Sequence, residues 1–185
     1  MRGHSKEEMI MAFRAILRSV KRQGMEDLLA WLEATDFYTA PASAKYHGVH
    51  ECGLLEHSLA VYENLSKRAV GHDPDSIAIV GLLHDVCKAD FYTKQTKSQQ
   101  VECWGYDNQF PAGHGEKSVM LIMRYIQLTD EEIMAINWHM GGFDARARAD
   151  GYSLSDAWAK YPLAVMVHLA DMEDTWLARK GGKEE

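Results

Sequence analysis

The stretch 77-IAIVGLLHDVCKAD-90 decides how the rest of the chain reads. Its apolar run, Ile77 to Leu83, belongs in a core, yet it ends on His84 and Asp85, with Val86 and Cys87 directly behind. An ionised carboxylate in such a place costs several kcal/mol unless it is paired. Asp85 therefore needs a partner from elsewhere in the chain.

Working outward, most of the chain reads as helix. Residues 5–23 place Ser5 and Glu8 at capping-box spacing and line Met9, Phe13, Ile16, Leu17 and Val20 along one face, with Gly24 after them. Residues 25–38 and 54–70 predict two further helices, and the loop between them holds Pro41, Tyr46, His47 and His50. The segment from Asp75 to about Lys88 reads as a central helix, apolar nearly all round, with the His-Asp pair near its C-terminal end. Residues 91–113 lose the helical period and mix Thr, Val, Tyr and Trp with turn residues, so a short β-hairpin or lid is expected at about 91–112. Helices resume at 114–127 and at 129–140, the latter behind a second capping box, Thr129 to Glu132, and stopped by Gly141 and Gly142. A loop from Phe143 to Ser153 carries Arg146 and Arg148, and a last helix runs from about Pro162 through 163-LAVMVHLADMEDTWLARK-180. The expected fold class is all-α, a helical bundle forming one domain over residues 1–185.

Composition narrows the partners. With 20 Lys and Arg against 27 Asp and Glu, the formal net charge is −7, which leaves no broad basic face to neutralise the phosphates of a duplex. Cys52, Cys87 and Cys103 are an odd set without CxxC spacing, which suits a reducing compartment, so a cytoplasmic location is expected. Residues 1–10 lack the apolar centre of a signal peptide, and no apolar stretch reaches the roughly 18 residues that span a bilayer. Neither duplex nucleic acid nor a membrane is an expected partner, and a homodimer is compatible with the sequence.

Four predicted helices set a His or Asp beside large apolar residues: His57 in 53-GLLEHSLAV-61, His84 and Asp85 in 81-GLLHDVC-87, His139 in 135-AINWHMGG-142 and Asp171 in 166-MVHLADME-173. His114, between two glycines, is a fifth position. Taken singly, such a residue is most often a core histidine bonded to a carbonyl or an aspartate capping a helix. A divalent ion accounts for all of them together, because neutral imidazoles and carboxylates are ligands that intermediate metals accept. It also supplies the partner that Asp85 lacks. Adjacent helix residues differ by about 100° in azimuth, so His84 and Asp85 can share an ion only off the helix edge, with other helices completing its shell. His57, His84, Asp85 and Asp171 are expected around one ion and His114 and His139 around a second, with Asp85 bridging through its other oxygen. Two divalent ions against two carboxylates leave the site positive where an anionic substrate would dock. The helix start at His114 favours a neutral imidazole and an anion. His168, three residues before Asp171, is expected to hydrogen-bond near the ligands. The run 113-GHGEKS-118 is not a nucleotide-triphosphate loop, because Glu116 stands where the glycine before the lysine belongs and no strand precedes it.

The ordered pattern H…HD…H…H…D, carried by His57, His84 with Asp85, His114, His139 and Asp171, resembles the HD superfamily of metal-dependent phosphohydrolases. The wording of GLLEHSLAVYENL, GLLHDVCKA, GHGEKS and HLAD is similar to a bacterial branch that includes the HD domains of 3′-to-5′ exoribonuclease-like hydrolases. The resemblance implies an all-α HD-domain bundle and divalent metal ions as cofactors, two of them, with Mn, Fe, Mg, Co, Ni and Zn not distinguished. It also implies that Lys88, one turn after Asp85, contacts a substrate phosphate, and that His47, preceded by Tyr46, is a substrate contact. The exoribonuclease branch carries an oligonucleotide-binding domain before the HD domain, and no strand pattern here supplies one, so processive RNA degradation is not expected.

The resulting expectation is a phosphohydrolase in which Asp85 and Lys88 are catalytic and metal-activated water cleaves a phosphomonoester or phosphodiester. The partner is a small phosphorylated substrate of nucleotide type. Two rivals use the same ligands: a di-iron oxygenase on the HD fold, and an HD module that senses a nucleotide or metal without turnover.

Overall fold

The computed structural model describes residues 4–46, 48–97, 101–149 and 151–178. Helix α1 (Lys6–Ser19) begins with the expected capping box: the Glu8 N–H donates to Ser5 Oγ and the Ser5 N–H to Glu8 Oε2. Its buried face is Met9, Phe13 and Leu17. Gly24, at φ +90°, opens α2 (Met25–Ala34), and a Cβ there would overlap the Tyr125 carbonyl. Helix α2 stops four residues short of the expected end. The Thr35 N–H donates back to the Leu32 carbonyl while its Oγ1 accepts from the Phe37 N–H, and this turns Phe37 and Tyr38 inward onto Phe13, with ring centroids 5.1 and 5.7 Å away.

Helices α3 (Gly53–Arg68) and α4 (Pro74–Leu83) pack together at the centre. Gly81 permits the contact, since a Cβ there would stand 2.8 Å from the Tyr62 Cα. Asp73 caps α4, Pro74 occupies its first turn and every residue from Ser76 to Leu83 is buried. After the hairpin come α5 (His114–Ile122), α6 (Asp130–Trp138), α7 (Ala145–Ala149), α8 (Ser153–Lys160) and α9 (Pro162–Met172), which runs on into a π-helical segment, Glu173–Ala178. One cluster of buried apolar side chains extends from Met9 of α1 to Ala170 of α9. The fold is mostly helical, as expected. The hairpin also forms where expected: β1 (Tyr92–Lys97) pairs antiparallel with β2 (Val101–Tyr106), Tyr92 opposite Tyr106. Among the described residues no helix is long and apolar enough to cross a membrane.

Two expectations need correction. The central helix does not continue to Lys88: α4 ends at Leu83, Asp85 adopts φ −107° and ψ 17°, and Val86–Lys88 form a 3₁₀ turn closed by the Lys88 N–H on the Asp85 carbonyl. The exit from this turn is pinned to the end of α2, because the Asp36 N–H donates to Asp90 Oδ1 and the Asp90 N–H to Asp36 Oδ1. The segment 143–153 is not all loop either. Asp144 Oδ1 accepts the Arg146 N–H and starts α7, and the Arg146 guanidinium is held by Asp144, Glu116 and Asn137 above the Trp138 ring. Helix α8, a stretch given no element in the sequence analysis, buries Ala157 and packs Trp158 against His168.

Glu132 does more than close its capping box. It is fully buried; its carboxylate accepts the Thr129 N–H, the Ser76 hydroxyl and both Arg22 nitrogens, at 2.7 to 3.0 Å, and so joins α6 to α4 and to the α1–α2 turn. Burial opposes ionisation, but these donors outweigh it and hold the carboxyl below its ordinary value of 4.5. Glu132→Ala leaves Arg22 half-buried without its partner and should destabilise the fold by roughly 3 to 5 kcal/mol in urea denaturation. Because the folded-state pKa is depressed, the ionised group's contribution is full above the ordinary value and lost as pH falls through the folded one. The stability gap between wild type and Glu132→Ala should therefore narrow below about pH 4.5.

Candidate metal centre

Six side chains from five helical elements converge beneath the hairpin. His57 projects from α3, His84 follows α4, Asp85 sits in the break behind it, His114 is the first residue of α5, His139 follows α6 and Asp171 lies near the end of α9. His57, His84 and His139 are completely buried and Asp85 is 2 % exposed. The break after α4 lets neighbours in sequence face one site: His84 Nε2 is 3.6 Å from Asp85 Oδ2.

Each buried histidine is oriented by its other nitrogen. His84 Nδ1 donates to the Gly81 carbonyl at 3.0 Å and His139 Nδ1 to the Ile136 carbonyl at 2.7 Å, each within its own turn. His57 Nδ1 donates to Asp174 Oδ2 at 2.8 Å. All three therefore present Nε2 to the cluster, the arrangement that fixes tautomer and ring angle in metal-ligating histidines.

The distances fit a divalent ion. His57 Nε2 lies 3.2 Å from His84 Nε2, 3.5 Å from Asp85 Oδ2 and 3.3 Å from Asp171 Oδ1. Ligand atoms about 2.1 Å from a tetrahedral ion stand roughly 3.4 Å apart. Two Nε2 lone pairs facing each other at 3.2 Å repel unless a cation or proton lies between them. His139 Nε2 is buried and makes no hydrogen bond among the described residues, so it too has capacity for a ligand bond. The second Asp85 oxygen faces the other histidines: Oδ1 is 2.7 Å from His114 Nε2 and 3.4 Å from His139 Nε2. His139 also groups with His84 and Asp171, so it stands within reach of both positions.

The electrostatics show the same demand for positive charge. Burial works to lower the His57 pKa, but its bonds to Asp171, Asp174 and Asp85 outweigh that and raise it to about 10. Burial takes His84 down to about 3, beyond what the attraction of Asp85 restores. Asp85 and Asp171 are both held below the usual carboxylate range despite burial, Asp85 chiefly by Lys88, His84 and His114 and Asp171 chiefly by His57. Burial works to lower the His114 pKa, but Cys87 and Asp85 beside it raise it to about 10.

Lys88 is buried, with Nζ 2.6 Å from Asp85 Oδ2, and is no solvated surface lysine. With Asp85, His114 and Asp171 it lines a cavity of about 430 Å³ whose other walls include Tyr46, Tyr92, Tyr106, Phe143 and Trp176. That volume falls in the range of small-molecule sites. His168 also lines it, and its Nδ1 donates to the His139 carbonyl at 2.7 Å, so it braces the backbone of one candidate ligand. Gly141, at φ +54°, makes room for this ring, since a Cβ would come within 2.6 Å of it. His47, an expected substrate contact, lies outside the described residues. Asp174 escaped the sequence reading, although its spacing of three from Asp171 could have placed both carboxylates on one helix face.

Comparison with family models finds the HD domain over residues 54–176, about two thirds of the chain. The chain belongs to the HD domain family, whose members are in general metal-dependent phosphohydrolases that bind divalent metals. The match runs from α3 into the π-helical segment and includes every candidate ligand, but nothing in it singles out the exoribonuclease-like branch. Comparison with curated proteins and with solved structures finds no match.

The Asp174–His57 bond can be tested apart from catalysis. Asp174→Asn should fold normally yet bind Mn²⁺ roughly 10- to 100-fold more weakly in calorimetric titration, the usual cost of removing a carboxylate behind a ligating histidine. Unchanged affinity would show that His57 needs no orienting carboxylate.

Proposed function

We propose that this chain is a phosphohydrolase that uses two divalent ions to cleave a phosphomonoester or phosphodiester of a small nucleotide-like substrate. The observation that carries this reading is the division of the Asp85 carboxylate. One oxygen faces His57 and His84, with Asp171 beyond them, and the other faces His114 and His139, at the floor of a cavity with aromatic walls.

Bound divalent ions would supply positive charge to offset that of the reacting phosphoryl group and would acidify water beside it. The chain's own residues do the remainder. Water forms the new O–P bond, the ester P–O bond breaks, and Asp85 keeps both halves of the ligand set in register. The Lys88 ammonium has three donors; one is engaged by Asp85 Oδ2, which leaves others for a phosphate oxygen in the cavity. Burial works to neutralise Lys88, but Asp85 beside it raises its pKa well above the ordinary 10.5, so it stays charged. The rings of Tyr46, Tyr92, Tyr106, Phe143 and Trp176 offer faces on which a nucleobase would stack.

The deciding experiment is elemental analysis of protein purified without added metal, then a phosphatase and phosphodiesterase screen with Mn²⁺. Phosphate or nucleotide release supports the proposal. Iron with oxygen consumption and no release would identify a di-iron oxygenase, and bound metal with neither activity a sensor. Lys88→Ala should keep the metal content and lose roughly 1 to 3 kcal/mol of transition-state stabilisation, read as kcat/KM. His114→Ala should lower the metal stoichiometry from about two per chain toward one, because the His57, His84, Asp85 and Asp171 donors are untouched. About one ion per chain in both the wild type and a fully active His114→Ala would mean a mononuclear centre.

A further inference from the structure

We propose that Cys87 is a further protein ligand at the second metal position, beside Asp85, His114 and His139, so that this position takes a thiophilic divalent ion of the zinc, cobalt or ferrous class in preference to magnesium. The inference rests on the two-ion reading above.

Its basis is geometric. A sulfur of Cys87, a carboxylate oxygen of Asp85 and a ring nitrogen of His114 all lie within 4.8 Å of one another. Cys87 is 3 % exposed and is not in a disulfide. A buried thiol usually packs as a small apolar group, but this one stands beside an imidazole and a carboxylate. A second observation points to the same place. His139 Nε2, fully buried and without a hydrogen bond among the described residues, lies 3.4 Å from Asp85 Oδ1, the oxygen that His114 Nε2 approaches to 2.7 Å. A sulfur, a carboxylate oxygen and a ring nitrogen thus group together, a mixed donor set that a tetrahedral ion accepts, and His139 Nε2 stands near the same carboxylate.

The backbone explains how Cys87 reaches it. In a continuous helix, residues two apart do not share a face, so Cys87 would point away from Asp85. The end of α4 and the 3₁₀ turn at Val86–Lys88 alter that relation. The Cys87 N–H then donates to Ser118 Oγ at 3.2 Å, which fastens the turn to α5, the helix that begins with His114. His114 keeps 34 % of its side chain exposed toward the cavity, so an ion held here stays open to substrate.

Coordination breaks the Cys87 S–H bond, forms a sulfur–metal bond and releases the proton to solvent. Thiolate is a soft donor that selects zinc, cobalt or iron, whereas magnesium prefers oxygen. The first position offers only nitrogen and oxygen donors. The two positions would therefore differ in metal preference.

Titration of metal-free protein with Co²⁺ tests this without reference to activity. The wild type should show visible ligand-field bands and, as the second position fills, a near-ultraviolet thiolate-to-cobalt charge-transfer band. Cys87→Ser should retain ligand-field bands and lose the charge-transfer band, and its Zn²⁺ affinity at that position should fall roughly tenfold or more. Two bound cobalt ions without a charge-transfer band in the wild type would overturn the proposal and leave the two-ion reading intact. A band that persists in Cys87→Ser, and so comes from Cys52 or Cys103, would do the same. Failure to bind a second cobalt would remove both readings. X-ray absorption on the zinc-loaded wild type needs no variant: a sulfur at about 2.3 Å from zinc supports the assignment, and a shell of nitrogen and oxygen alone refutes it.

Discussion

A single carboxylate, buried at the end of the most apolar helix, sets the terms for the rest of this molecule. Asp85 is 2 % exposed and sits behind a helix whose residues from Ser76 onward are all buried. Its charge is tolerated because Lys88 and four imidazoles surround it within 3.6 Å. Those groups come from separate elements. The helices are therefore constrained by this convergence as well as by their apolar faces.

That constraint clarifies several local features. Helix α4 ends where a continued helix would have turned Asp85 and His84 to different sides. The 3₁₀ turn beyond it is anchored at two points, by Asp36 with Asp90 and by Ser118 with the Cys87 N–H. His84 and His139 are each fixed by a carbonyl one turn back, while His57 is fixed by Asp174 from the π-helical segment. Wider turns of this kind recur at functional sites. Arg146 and Glu132 perform comparable tasks away from the cluster, each tying segments that no apolar stripe would align.

The chain's net charge of −7 says little about the cavity floor. There, two carboxylates face four imidazoles and a lysine held in its charged form, and metal binding would raise the local positive charge further. A phosphate-bearing ligand would meet that charge at the floor and aromatic rings on the walls. The proposed function draws on this pairing of a cationic floor with stacking faces.

Read alone, the sequence determined the helical class, the position of the hairpin, both Ser/Thr–Glu capping boxes and the short set of polar residues stranded in apolar runs. These are local signals, set by spacing, capping chemistry and periodicity over a few residues. The convergence of His57, His84, Asp85, His114, His139 and Asp171 was legible as an expectation, because buried polar groups need partners. It was not legible which oxygen of Asp85 meets which histidine, that Asp174 stands behind His57, or that Cys87 turns toward His114. Helix α8 was missed because it is only 8 residues long, too short a run for a helical period to stand out in sequence. Tertiary structure decided these matters, because they depend on the backbone angles of one residue at the end of α4 and on contacts between side chains up to 117 positions apart.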